Sequence, residues 1–86
     1  MDVERIFMPK LGMHMTEGTV SQWFVADGSY CEEGAILVEI ETDKVTHEVE
    51  ALTAGYAHIT VAEGATVDVG TVLGEITAVP AVENGS

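Results

Sequence analysis

Residues Ala26–Ile40 read ADGSYCEEGAILVEI, and residues Ala62–Ile76 read AEGATVDVGTVLGEI. The two stretches align without a gap at a constant offset of 36 positions. Ala26/Ala62, Gly28/Gly64, Gly34/Gly70, Leu37/Leu73, Glu39/Glu75 and Ile40/Ile76 are identical, and Asp27/Glu63, Cys31/Val67 and Ile36/Val72 are similar in kind. Each copy places glycines where tight turns fall and then alternates apolar with polar residues, the period of a strand buried on one face. Two copies are too few for a solenoid. They predict two halves related by a pseudo-two-fold axis, each burying its apolar face on the other.

The same texture extends outward from the repeat. Runs rich in Val, Ile and Thr recur at residues 6–8, 20–25, 36–41, 45–50, 57–61 and 72–77, with shorter extended pieces at Tyr30-Cys31 and Thr66-Val67. Helical periodicity is absent. Many short strands with frequent turn signals predict an all-β sandwich or barrel. The paired glycines Gly28/Gly64 and Gly34/Gly70 read as turn residues, not as a phosphate-binding loop. Residues 1–77 are expected to form one domain, and the stretch 78–86, which does not alternate, is expected to be a linker start or a flexible tail.

Charge narrows the partners. Against 15 acidic residues stand three basic ones, for a formal net charge of −12 over 86 residues. A nucleic-acid binder needs basic side chains to displace counterions, and an anionic membrane would repel this chain. The expected partners are proteins with basic docking surfaces. The lone Cys31 has no intramolecular disulfide partner, which points to a reducing, cytoplasmic setting. No metal-ligand spacing joins His14, His47 and His58, so no metal site is expected. No nucleophile–base arrangement stands out either, so no active site is expected within the domain.

One of the three cations sits at the centre of a run of carboxylates: Glu39-Ile40-Glu41-Thr42-Asp43-Lys44-Val45-Thr46-His47-Glu48-Val49-Glu50. Taking Asp43-Lys44 as a two-residue turn pairs Thr42 with Val45, Glu41 with Thr46, Ile40 with His47, Glu39 with Glu48, Val38 with Val49, Leu37 with Glu50 and Ile36 with Ala51. Ile36, Val38, Ile40, His47, Val49 and Ala51 then share the inward face. Glu39, Glu41, Thr46, Glu48, Glu50 and Leu37 share the outer one. A slip of one residue would bury glutamates, so the pattern fixes the register and sets Lys44 at the apex. Lysine suits a positive φ poorly, so a type I turn is expected, with Asp43 favourable in it. Glu39 facing Glu48 is a like-charge pair that does not help the fold. Two readings remain open from spacing alone: a lysine presented for its amine, and a solvated turn lysine among carboxylates that keep the surface polar. Trp23 and Cys31 read as core residues. Met13 and Met15, in the segment 11–17, are read both as an adaptable partner surface and as packing on the barrel end.

Taken together, several motifs resemble the lipoyl domains of the 2-oxo acid dehydrogenase complexes, within the biotinyl/lipoyl carrier family. The resemblance covers residues 6–77. It rests on Met8-Pro9-Lys10-Leu11-Gly12, Met15-Thr16-Glu17-Gly18-Thr19-Val20, Trp23, Gly28, Gly34 and Leu37. It continues through Glu41-Thr42-Asp43-Lys44-Val45, Glu48-Val49-Glu50-Ala51, Gly55, Glu63-Gly64, Val67, Val69-Gly70 and Leu73. Val45 and Tyr56-Ala57 depart from the family's usual residues. The resemblance implies a flattened barrel-sandwich of two four-stranded antiparallel sheets with internal pseudo-two-fold symmetry. It also implies lipoic acid in amide linkage to Lys44, and a loop at residues 11–17 beside the lysine turn that helps partner recognition. The implied partners are a thiamine-diphosphate dehydrogenase component, an acyltransferase catalytic domain, a dihydrolipoyl dehydrogenase and a lipoate-attaching enzyme. A carrier without its own active site is implied, monomeric in isolation; with Met1 read as a true start and 78–86 as a linker, it is expected to be the N-terminal module of a dihydrolipoamide acyltransferase. Biotin carriers flank their lysine with methionines, whereas Asp43 and Val45 stand here. A biotin carrier of a carboxylase and an unmodified adaptor barrel are the alternatives.

Overall fold

Eight strands realise the alternation in a computed structural model that describes residues 3–78. In chain order they are β1 (Val3–Phe7), β2 (Glu17–Trp23), β3 (Tyr30–Cys31), β4 (Ile36–Glu41), β5 (Thr46–Glu50), β6 (Gly55–Ile59), β7 (Thr66–Asp68) and β8 (Val72–Thr77). They form two four-stranded sheets, ordered β1-β8-β6-β3 and β5-β4-β2-β7, and every pairing is antiparallel. This is the expected all-β fold. Most of the stretch 78–86 expected to be a linker lies outside the described residues. So does Pro80, the repeat equivalent of Lys44.

The repeat becomes symmetry. Reading the two sheets in order matches β5 with β1, β4 with β8, β2 with β6 and β7 with β3. The four glycines named from the repeat are the four with positive φ among the described residues, from 86° to 92°. A side chain is strained in that region, which explains why both copies keep glycine there. The halves also exchange side-chain hydrogen bonds in the same pattern. Trp23 N–H donates to Glu63 Oε2 at 2.8 Å, and Ile59 N–H donates to Asp27 Oδ1 at 2.7 Å.

Strand ends differ from the sequence expectation by up to three residues, and bulges account for the early ends of β2 and β6. β4 pairs with β5 as expected at Val38↔Val49, Glu39↔Glu48, Ile40↔His47 and Glu41↔Thr46. The register then shifts, so that Ile36, not Leu37, faces Glu50. Leu37 is the extra residue of that bulge, and its equivalent Leu73 is skipped in the same way between Ile6↔Gly74 and Phe7↔Val72. A bulge adds a residue to one strand and breaks the two-residue alternation. Leu37, expected on the outer face with the glutamates, therefore turns inward and is fully buried beside Val38, as is Leu73. The expected Ile36↔Ala51 pair is replaced accordingly: Ala51 N–H donates to Ala35 O at 2.8 Å, and Ala51 is buried. The Leu37 carbonyl accepts Phe24 N–H, and the Leu73 carbonyl accepts Thr60 and Val61 N–H, which ends β2 and β6 before the stretches 24–25 and 60–61. A third bulge, at Ser21, has no counterpart in β6; the Ser21 hydroxyl donates to Glu39 Oε1 at 2.9 Å.

The core between the sheets is continuous. It holds Ile6, Met8, Val20, Trp23, Cys31, Leu37, Val38, Ile40, Ala51, Leu73 and Ile76. Trp23 is buried as expected, and its indole N–H donates to Val61 O at 2.8 Å, which satisfies its polar atom. Cys31 behaves as the small buried hydrophobe the repeat implied. His47 keeps its place opposite Ile40, at the edge of the inward face. It pairs with buried Ile40 but is itself exposed, because β5 is an edge strand that opens onto a groove shared with Arg5, Phe7 and Pro9.

Candidate functional site

Lys44 stands at the tip of the β4–β5 hairpin, with Glu41↔Thr46 as the last ladder pair beneath it. Thr42 N–H donates to Val45 O at 2.9 Å and closes the turn. No non-glycine residue among those described has positive φ, so the mirror-image hairpin turns are absent here, as the sequence expectation required. The amide groups of the tip are satisfied by a side chain instead. The Thr42 hydroxyl oxygen accepts Lys44 N–H at 3.2 Å and Val45 N–H at 3.1 Å, and the hydroxyl lies 3.3 Å from Val45 O, to which it donates. Thr42 is the site residue that strand pairing alone missed. The signal was present, since Ser and Thr hydroxyls hydrogen-bond backbone two and three residues on in turns.

The chain has two lysines, and their amines are held differently. Lys10 Nζ donates to the Met15 carbonyl at 3.4 Å. The Lys44 amine has no hydrogen-bond or ion-pair partner among the described residues, although Glu41 and Asp43 are close in sequence. Its neighbour Val45 is also exposed.

Beside the tip lies an open cleft of about 940 Å³. One wall is the hairpin from Glu41 to Val45, and the other is the loop from Leu11 to Thr16, with Thr19 and Thr66 at its floor. The Thr19 and Thr66 hydroxyls are 2.8 Å apart and tie β2 to β7 there. The two methionines of the loop divide the roles left open by the sequence. Met13 is 82% exposed on the cleft, whereas Met15 packs against the core and accepts Leu11 N–H on its sulfur at 3.1 Å. Met15 thus anchors the loop and Met13 is displayed by it. Glu17, Glu41 and Asp43 give the cleft an acidic rim around Lys44 and His14.

A carboxylic-acid cofactor in amide linkage requires a primary amine that is exposed, unengaged and carried clear of the barrel. Lys44 meets each condition, so the residues present fit such a group. Among the described residues no cluster of His, Cys, Asp and Glu is arranged to hold a metal ion. Cys31 lies away from the cleft, in the core, where burial pushes its thiol pKa up.

The chain is similar to proteins of one known family. The family model described as "Biotin-requiring enzyme", the biotin/lipoyl model, matches residues 4–76. The dihydrolipoyllysine-residue succinyltransferase component of the 2-oxoglutarate dehydrogenase complex from Rickettsia conorii is 42% identical over 73 residues, 84% of this chain and 18% of that protein. The acetyltransferase component of the pyruvate dehydrogenase complex from Corynebacterium glutamicum is 45% identical over 76 residues, 87% of this chain and 11% of that protein. The chain thus spans less than a quarter of the length of these relatives. The solution structure of the lipoyl domain of the Azotobacter vinelandii 2-oxoglutarate dehydrogenase complex superposes with a TM-score of 0.74 at 36% identity, covering 86% of this chain and 95% of that one. With the family model matched across both sheets and a lipoyl domain superposed over nearly its whole length, this chain belongs to the biotin/lipoyl family and, within it, to the lipoyl domains.

Proposed function

We propose that residues 1–77 are a lipoyl carrier domain of a 2-oxo acid dehydrogenase complex acyltransferase, with Lys44 as the residue that bears lipoic acid. The observation that carries this reading is the contrast between the two lysines: Lys10 is engaged, and Lys44 is exposed and free at a hairpin tip. When bound, a lipoyl group supplies acyl acceptance and two-electron redox chemistry, which is the cofactor's own. The chain's residues do the rest. The ladder from Val38 to Glu41 holds the tip rigidly outward, and the Lys44 side chain is a tether. A tether replaces free diffusion by a high local concentration at each partner site. The partners in this reading are a thiamine-diphosphate dehydrogenase, an acyltransferase catalytic domain, a dihydrolipoyl dehydrogenase and a lipoate-attaching enzyme.

Attachment forms an amide bond at Lys44 Nζ. The ammonium must first give up its proton, and the group activating the lipoate carboxyl departs. Among the described residues neither Glu41 nor Asp43 pairs with the Lys44 amine, so neither is placed to take its proton. Their role is to be recognised by enzymes with basic docking surfaces. Charge reversal at Glu41 or Asp43 lowers both attachment and reductive acylation in this reading; unchanged rates would remove the carboxylates from recognition.

Expression with a lipoate ligase and lipoate tests the site. The wild type gains the mass of one lipoyl group and one more negative charge on a native gel, and Lys44→Ala gains neither. Streptavidin and anti-lipoate blots separate biotin from lipoate. An unmodified wild type under these conditions would make the chain an adaptor barrel.

A further inference from the structure

We propose that Thr42 is the positioning residue for Lys44: its hydroxyl holds the tip in the conformation the lipoate-attaching enzyme takes up. This rests on the lipoyl reading of Lys44 and adds a second residue to that site. The hydroxyl joins both amides at the tip, Lys44 N–H at 3.2 Å and Val45 N–H at 3.1 Å, to the base of the turn. Without it, the only backbone hydrogen bond closing the turn is Thr42 N–H to Val45 O at 2.9 Å. The ladder stops at Glu41↔Thr46, so nothing further along the strands steadies residues 43 and 44.

The barrel itself does not require this hydroxyl. Thr42 is exchanged by the 36-residue repeat with Ala78, which follows β8 as Thr42 follows β4 and has no hydroxyl to offer. The neighbouring repeat pairs Ile40/Ile76 and Glu39/Glu75 are kept. The Thr42 side chain is at the exposed end of the hairpin, outside the core cluster, so its hydrogen bonds act on the tip and not on the packing. A tip ordered beforehand loses less conformational freedom on docking. The consequence falls on association with the attaching enzyme, hence on KM more than on kcat.

The experiment uses wild type, Thr42→Val and Thr42→Ser with purified lipoate ligase, ATP and lipoate. Valine keeps the branched shape and removes the hydroxyl; serine keeps the hydroxyl and removes the methyl. The expected result for Thr42→Val is a loss in kcat/KM of about fivefold, or ~1 kcal/mol at about 1.36 kcal/mol per tenfold, carried mainly by KM, and Thr42→Ser stays within about twofold of wild type. Amide hydrogen exchange at Lys44 and Val45, read well below the melting temperature of each variant, speeds up in Thr42→Val and not in Thr42→Ser. That readout stands even if a variant melts lower. A Thr42→Val protein modified at the wild-type rate overturns the proposal while leaving Lys44 as the attachment residue. So does a Thr42→Ser protein as slow as Thr42→Val, which would assign the effect to the methyl group. Wild type that takes up no lipoate overturns the lipoyl reading itself.

Discussion

The Trp23 backbone N–H donates to the Glu63 carboxylate across the barrel, 40 positions along the chain, at 2.8 Å. The bond ties the end of β2 to the β6–β7 loop, and its symmetry mate ties Ile59 to Asp27. Backbone donors that lose the ladder where β2 and β6 end are thereby satisfied by charged acceptors. Glu63→Ala removes the acceptor and leaves a part-buried N–H unpaired, at a cost of about 1–3 kcal/mol. Asp27→Ala, whose bond is more exposed, costs less. Urea unfolding of both variants checks the order; equal and negligible losses would mean that water replaces the carboxylates.

Two glycines make opposite predictions about tolerance. A Cβ at Gly18 would meet Met8 Sδ at 2.7 Å, Met15 Cε at 3.0 Å and Ile40 Cγ2 at 3.2 Å. A Cβ at Gly74 would meet the His58 carbonyl oxygen at 2.5 Å. Methionine side chains yield and a strand carbonyl does not, so Gly18→Ala costs roughly 1 kcal/mol and Gly74→Ala roughly 3 kcal/mol or more. Thermal unfolding of the pair gives the ranking, and the reverse order would contradict it.

Leu37 and Leu73 occupy the same bulged position in the two sheets and are both fully buried. Truncation to alanine at either site leaves a cavity and costs about 2–5 kcal/mol, with similar values for the two. A surface leucine would lose well under 1 kcal/mol. A near-zero cost for Leu37→Ala would mean that β4 alternates without its bulge in solution.

Cys31 is buried, and desolvation, followed by the nearby Glu4 and Glu32 carboxylates, raises its thiol pKa above the ordinary 9.0. A group whose pKa is raised on folding favours the folded state fully below its unfolded value, and that contribution is lost as pH rises through the folded value. Stability therefore declines above pH 9.0 in part through Cys31, and Cys31→Val, the residue of the repeat equivalent Val67, removes that part. A thiol reagent labels Cys31 only as the protein unfolds. Rapid labelling of the native protein at neutral pH would refute the burial.

Glu39 and Glu48 face each other across β4 and β5, the like-charge pair expected from the register. Glu39 is half-buried and bound by Ser21, whereas Glu48 is exposed. Glu48→Lys replaces repulsion with attraction and stabilises by about 0.2–1 kcal/mol, less in high salt. Melting temperatures in low and high salt measure it, and a destabilised variant would be the contrary result.

By itself the sequence determined the strand content, the pairing of the halves, the hairpin register from Val38 to Glu41 and the place of Lys44 at the tip. These follow from a strict two-residue period and a repeat, both local properties that survive without knowledge of the partner strand. Tertiary structure decided what the period cannot carry. Leu37 turns inward because a bulge breaks the alternation, and a bulge is defined only by the strand opposite. His47 is exposed because β5 lies at an edge. Met13 and Met15 separate because one sulfur meets the core and a backbone amide while the other meets solvent. The loop from Leu11 to Thr16 and the Lys44 hairpin form one cleft because β2 pairs with β4, bringing together residues that no local pattern connects.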